Sequence, residues 1–129
     1  NISVEVYSYI YIINMLNPYI SSAIAAILTG IHLFGIKYSY TNATFGTPKF
    51  YMIAFISFFL WSVSRIFVYL ASIKLPITIT HMIMNLSILV STLCSIVVYQ
   101  TPVNIPLFLA GISAMMLGVY CIEKSVSYN

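Results

Sequence analysis

Residues 55–73 read FISFFLWSVSRIFVYLASI. The run is apolar or small throughout, except for one charge, Arg65. A membrane-spanning helix needs about 20 mostly apolar residues. The apolar residues come in unbroken succession and do not alternate as they would along a barrel strand. The stretch therefore reads as the body of a spanning helix. An arginine near the centre of such a helix costs about 2.5–3.5 kcal/mol, so its presence asks for a physical reason.

Outward from that stretch the pattern repeats. The chain has 129 residues, 61% hydrophobic and 5% charged. A soluble domain carries roughly 25% charged residues, so this chain cannot clothe a water-facing surface and is read as an integral membrane protein. Spans are expected at 18–36, 50–73, 76–99 and 105–122, with Pro18, Pro76 and Pro106 at or near three of the entries. Proline suits the first turn of a helix, where its missing N–H would be unpaired anyway. The expected fold is an all-α integral membrane bundle of four transmembrane helices, occupying residues 17–129. The linker at 37–49, with Asn42, Gly46 and Pro48, reads as the one longer loop; short loops elsewhere make neighbouring helices antiparallel. Residues 1–16 are apolar and tyrosine-rich but short for a span. They are expected at the headgroup level, which tyrosine favours, with a continuation of the first helix as the alternative. No signal peptide is expected, because the start carries no basic segment and no cleavage box.

Charge narrows the partners. The net charge of +3 comes from scattered residues, Lys37, Lys49, Arg65, Lys74 and Lys124, which does not suggest nucleic acid. Lys74 and Lys124 fall on one side of the membrane and Lys37 and Lys49 on the other, so the basic-loop count sets no orientation. Which membrane the chain occupies is not legible. Cys94 and Cys121 lie in apolar runs and are read as free thiols. No nucleophile–base pair, metal-ligand cluster or phosphate loop is visible, so neither an enzyme nor a cofactor is expected.

The polar residues inside the spans carry whatever chemistry there is. With a rise of 1.5 Å per residue, His81 lies about 8 Å deep in the third span and Asn85 about 13 Å. Arg65 lies about 12 Å from the same face. His81 and Asn85 are four apart and share a helix face, continued by Thr78 and Thr92. In the first span Ser22, Ala25, Thr29 and His32 share a face, with His32 about 21 Å deep. Three readings compete for Arg65: a guanidinium snorkelling to the near headgroups, a structural partner such as a carbonyl or Asn85, and an anion site. Two histidines also invite a haem reading, but within one chain His32 and His81 are about 13 Å apart in height. His32 could instead carry a proton. Ala110, Ala114 and Gly118, each four apart, would let another helix approach closely, in the same chain or in a second copy.

A family resemblance rests on specific residues. The stretch YLASIKLPITITHMIMNLSILVSTLCSIVVYQTPVNIPLFLAGISAMMLGVYCI, with Ala71-Ser72, Pro76, the turn at 100–104, Pro106, Gly111 and Gly118-Val119, resembles the C-terminal hairpin of the drug/metabolite transporter superfamily. Asn17-Pro18-Tyr19-Ile20 is similar to the start of the small multidrug resistance proteins. Those are four-helix members that work as dimers, often antiparallel. The resemblance covers most of residues 17–122 and implies a small-molecule transporter. It also implies a departure, because those proteins carry a glutamate mid-way along the first helix and the matching position here is Thr29. No acidic residue lies in any span; Glu5 and Glu123 are terminal. The expected substrate is therefore anionic or zwitterionic, held by Arg65, His81, Asn85, Thr29 and His32. The expected partners are membrane lipid, a small-molecule substrate and a second copy, with Ala110, Ala114 and Gly118 at the dimer contact. The alternative is a small hydrophobic subunit of a larger membrane assembly, respiratory or viral, and less readily a haem-anchoring subunit.

Overall fold

The computed structural model describes residues 2–125; Asn1 and residues 126–129, the outer edges of the two expected segments, lie outside the described residues. All regular structure among the described residues is helical: α1 (Ile2–Met15), α2 (Pro18–Asn42), α3 (Pro48–Ser72), α4 (Ile77–Met84), α5 (Ser87–Tyr99) and α6 (Ile105–Ser125). Four helices are long and apolar enough to cross a membrane, with α4 and α5 together forming one of them, Ile77–Tyr99. The protein is an all-α bundle of four membrane-spanning helices.

Local chemistry fixes the helix ends. Asn17 caps α2 by accepting a hydrogen bond from the Tyr19 amide at 2.9 Å, and Pro18 takes the first helical position, so α1 does not run on into α2. The first span then continues past residue 36, where a loop was expected, to Asn42. The polar segment KYSYTN stays helical because its hydroxyls bond back to the preceding turn: Ser39 to the Ile36 carbonyl at 2.7 Å and Thr41 to the Lys37 carbonyl at 3.1 Å. The connection shrinks to residues 43–47, where Gly46 adopts φ +88°. There the Thr47 side chain caps α3 by accepting from the Phe50 amide. The last span likewise runs three residues further than expected, to Ser125.

The third span is not the single helix expected. It breaks at Asn85–Leu86 without proline or glycine. The Leu86 amide bonds to the Ile83 carbonyl at 3.0 Å and the Leu89 amide to the Leu86 carbonyl at 3.0 Å. These are three-residue steps of 3₁₀ type, a tightening that separates two helical segments inside one span.

Helix α2 is the centre of the molecule, packing against α3, α5 and α4. Its seam with α3 is built from small residues. On α3 the buried positions are Phe50, Ser57, Ser64 and Ala71, each seven after the last. That spacing keeps one stripe facing a partner helix. On α2, Ser22 and Ala25 are fully buried, and Thr29 and His32 bond across the seam to Ser64 and the Ser57 carbonyl. At Gly35 the two backbones come so near that a Cβ would collide with the Ser57 hydroxyl. Small residues at such a seam let two membrane helices approach for dispersion contact, the main attraction left where lipid is as apolar as the side chains. Against α5, Gly30 sits beneath Val90 and the Ser87 carbonyl, and a Cβ there would lie 2.5–2.8 Å from them.

Contacts at the helix ends set the directions. Tyr99, at the end of α5, bonds to Thr41 at the end of α2 at 2.7 Å, and its ring lies tilted against Phe34 with centroids 5.9 Å apart. Tyr19, at the start of α2, donates to Glu123 near the end of α6 at 2.8 Å. So α2 and the α4–α5 span run one way, and α3 and α6 the other. The outer helix is loosely held. No residue of α6 is buried; a half-buried stripe that includes Phe108, Ile112, Met115 and Val119 faces the bundle, with Val119 packed against Leu75, Ile79 and Ile83.

Candidate functional site

Arg65 lies seven residues before the end of α3, about 10 Å along the axis from that end. Side chains in a helix lean toward its N-terminus. Helix α3 begins at the far membrane face, so this lean carries Arg65 away from the near surface and toward the middle of the span. Its contacts follow. The guanidinium carbon sits 5.4 Å from the centroid of the Trp61 ring, one turn deeper. Nη2 donates to Thr29 Oγ1 at 3.1 Å, and Nε and Nη2 each lie 3.3 Å from Ser64 Oγ. Thr29 is about 16 Å along α2 from Pro18. The guanidinium therefore does not snorkel to the near face, and its structural partners are two hydroxyls and an indole rather than Asn85.

These partners are neutral. Thr29 itself donates to Ser64 Oγ at 3.2 Å, and Ser64 donates to the Trp61 carbonyl at 2.6 Å. Nη1, with two N–H groups, makes no hydrogen bond to a described residue. The nearest things to a counter-ion, Glu5 and Glu123, stand at chain ends, Glu123 being engaged by Tyr19. Inside a bilayer an unmatched charge and unmade hydrogen bonds are both costly. What remains on offer is a fixed cation with two free donors, suited to the oxygens of a carboxylate or phosphate.

His32 extends the cluster by one turn of α2. Its Nδ1 donates to the Ser57 carbonyl at 2.8 Å; a carbonyl can only accept, so the proton sits on Nδ1 and Nε2 is left open. The ring lies 5.5 Å from Phe58 and 6.4 Å from Trp61 between centroids. Thr29, His32, Trp61, Ser64 and Arg65 thus form one contiguous polar and aromatic patch on the α2–α3 seam.

Two of the expected site residues are elsewhere. Helix α4 packs through Ile79, Thr80, Ile83 and Met84, all buried. His81 and Asn85 lie on its other arc and are exposed. Neither bonds to Arg65. Equal depth gave them the right height, but height says nothing about direction around the helix axis. His32 is turned onto α3 and His81 off the packed arc of α4, so one chain does not bring both to one iron. Asn85 instead lines a groove with Met82, Leu86, Met115, Gly118 and Val119. Ala110 and Ala114 are exposed on α6 and Gly118 is half-buried beside the groove; a Cβ at Gly118 would meet nothing within 4 Å, so no described helix closes tightly on it.

Ser57, Trp61 and Ser64 were not singled out from sequence. A signal existed: Ser57, Ser64 and Ala71 repeat every seven residues, and Trp61 is one turn N-terminal to Arg65, where an arginine side chain leans. Comparison with known proteins returned no match: no family model, no curated protein and no solved structure corresponds to this chain.

Proposed function

We propose that the protein is a small-molecule transporter of the drug/metabolite kind, working as a dimer and taking an anionic or zwitterionic metabolite. One observation carries the reading: Arg65 is directed into the span, held by Thr29, Ser64 and Trp61, and left, among the described residues, with free donors and no counter-charge. A purely structural arginine would be expected to reach the headgroups or a carboxylate. Intramembrane ionisable residues turned inward tend to line substrate paths. Pairing of two copies fits the loose seat of α6, since three packed spans and one outlying helix do not enclose a pathway. Within the patch, Arg65 binds the anion, Thr29 and Ser64 fix the guanidinium, and Trp61 and His32 wall one side.

The test is uptake of labelled carboxylates and phosphates into liposomes holding the purified protein. Charge-assisted hydrogen bonds contribute about 1.5–3 kcal/mol, so Arg65→Ala should weaken uptake roughly ten- to a hundredfold with insertion intact. Unchanged uptake would remove Arg65 from the site. A second reading, a hydrophobic subunit of a larger assembly, is favoured by α6, none of whose residues is fully buried. Recovery of the chain from mild detergent only with several other proteins would favour it.

A further inference from the structure

We infer that two copies of the chain meet the same way round in the membrane, with their Asn85 side-chain amides hydrogen-bonded to each other across the α4–α6 groove. The inference rests on the dimer reading above and adds how the copies touch. Asn85 sits at the break between α4 and α5, is exposed, and its side chain makes no hydrogen bond to a described residue. An amide offers donors and an acceptor together, and no water is present in the bilayer core to satisfy them. The groove it lines, of about 220 Å³, is otherwise formed by Met82, Leu86, Met115, Gly118 and Val119. It offers no charge, so a charged occupant would be unmatched there. A second Asn85 satisfies the amide in both directions. The open space at Gly118 lets the second copy come near.

Height decides the orientation. Asn85 is about 12 Å from the start of its span and about 21 Å from its end. Copies inserted in opposite senses would hold the two amides about 9 Å apart in height. Copies inserted in the same sense hold them level, about a two-fold axis normal to the membrane, where one residue meets its own counterpart. The even split of Lys37 and Lys49 against Lys74 and Lys124 imposes no preference against such a pair.

The experiment uses the full chain in lipid bilayers. In a Cys94→Ala, Cys121→Ala background, Asn85→Cys should give a disulfide-linked dimer on mild oxidation, because linked Cα atoms must come within about 7 Å. Phe55→Cys, on the exposed side of α3, should not. Separately, Asn85→Leu should weaken dimerisation, measured by energy transfer between labelled copies, about three- to twentyfold. A wild-type dimer with no Asn85→Cys link and unchanged affinity in Asn85→Leu would overturn the contact and leave the dimer reading standing; a lipid chain filling the groove would give this result. A wild-type chain that stays monomeric in the bilayer would overturn contact and dimer together, while Arg65-dependent uptake would still be judged on its own.

Discussion

Arg65 shows how a single residue's direction follows from chain polarity. The cost of an arginine in a span falls when its head reaches water, and the nearer face is about 10 Å away. The helix direction works against that route, and the hydroxyls of Thr29 and Ser64 hold the head where it points. If these hydroxyls position the cation, removing one should act on affinity rather than on turnover. Thr29→Val keeps shape and removes the acceptor at 3.1 Å. The expected result is a KM for anion uptake raised several-fold with the maximal rate kept, since a neutral hydrogen bond contributes about 0.5–1.5 kcal/mol. Arg65→Lys should do worse, because a lysine ammonium is a point charge without the fork that spans Thr29, Ser64 and a ligand at once. An equal loss in both variants, confined to the amount of folded protein, would make the pair structural. The sequence made Arg65 conspicuous as a lone charge in a span, and Thr29 through its place on the Ser22–His32 face and through the resemblance. Ser57, Ser64 and Trp61 stayed hidden because small and aromatic residues are ordinary in a membrane helix until a partner helix is placed beside them.

At the scale of the element, the contrast among glycines separates seams that are closed from one that is not. Gly30 and Gly35 sit under neighbouring atoms, whereas a Cβ at Gly111 or Gly118 would meet nothing within 4 Å. Gly30→Ala forces the Ser87 carbonyl and Val90 away from α2, and overpacking of this kind costs about 1–3 kcal/mol. Thermal unfolding in detergent should show Gly30→Ala and Gly35→Ala destabilised by that order and Gly111→Ala little changed. A destabilised Gly111→Ala would mean that α6 is seated more tightly than its exposure indicates. The broken third span makes a second prediction. Hydrogen bonds of 3₁₀ type have poorer geometry than those of an α-helix, so in lipid discs the amides of residues 86–89 should exchange faster than those of residues 22–29 in α2. Equal protection would mean that the span behaves as one continuous helix. Span number and approximate position were legible because an apolar run of 20 residues has few other homes. The break at Asn85–Leu86 and the extension of α2 to Asn42 were not, because hydroxyls that bond back to their own helix and a non-proline 3₁₀ step leave no mark in hydropathy.

At the scale of the molecule, α2 is a hub with three neighbours and α6 an outrigger. Among the described residues, the contacts that hold α6 include Val119 on the Leu75–Ile79–Ile83 cluster and the Tyr19–Glu123 hydrogen bond of 2.8 Å at the membrane face. One such bond, with an exposed carboxylate, contributes at most a few kcal/mol, and Val119 is only partly buried. A helix seated this lightly should move as a unit while the α2–α3 seam stays fixed. Spin labels on α6 and α3 would then give a broad distance distribution, and labels on α2 and α3 a narrow one. Glu123→Gln together with Val119→Ala should broaden the first further and leave the second alone. Adding the second copy should narrow the α6 distribution if the partner completes its packing. A narrow α6–α3 distance in the isolated chain would show that α6 needs no partner to hold its place, which would take away the packing argument for pairing but leave the Arg65 patch as it stands.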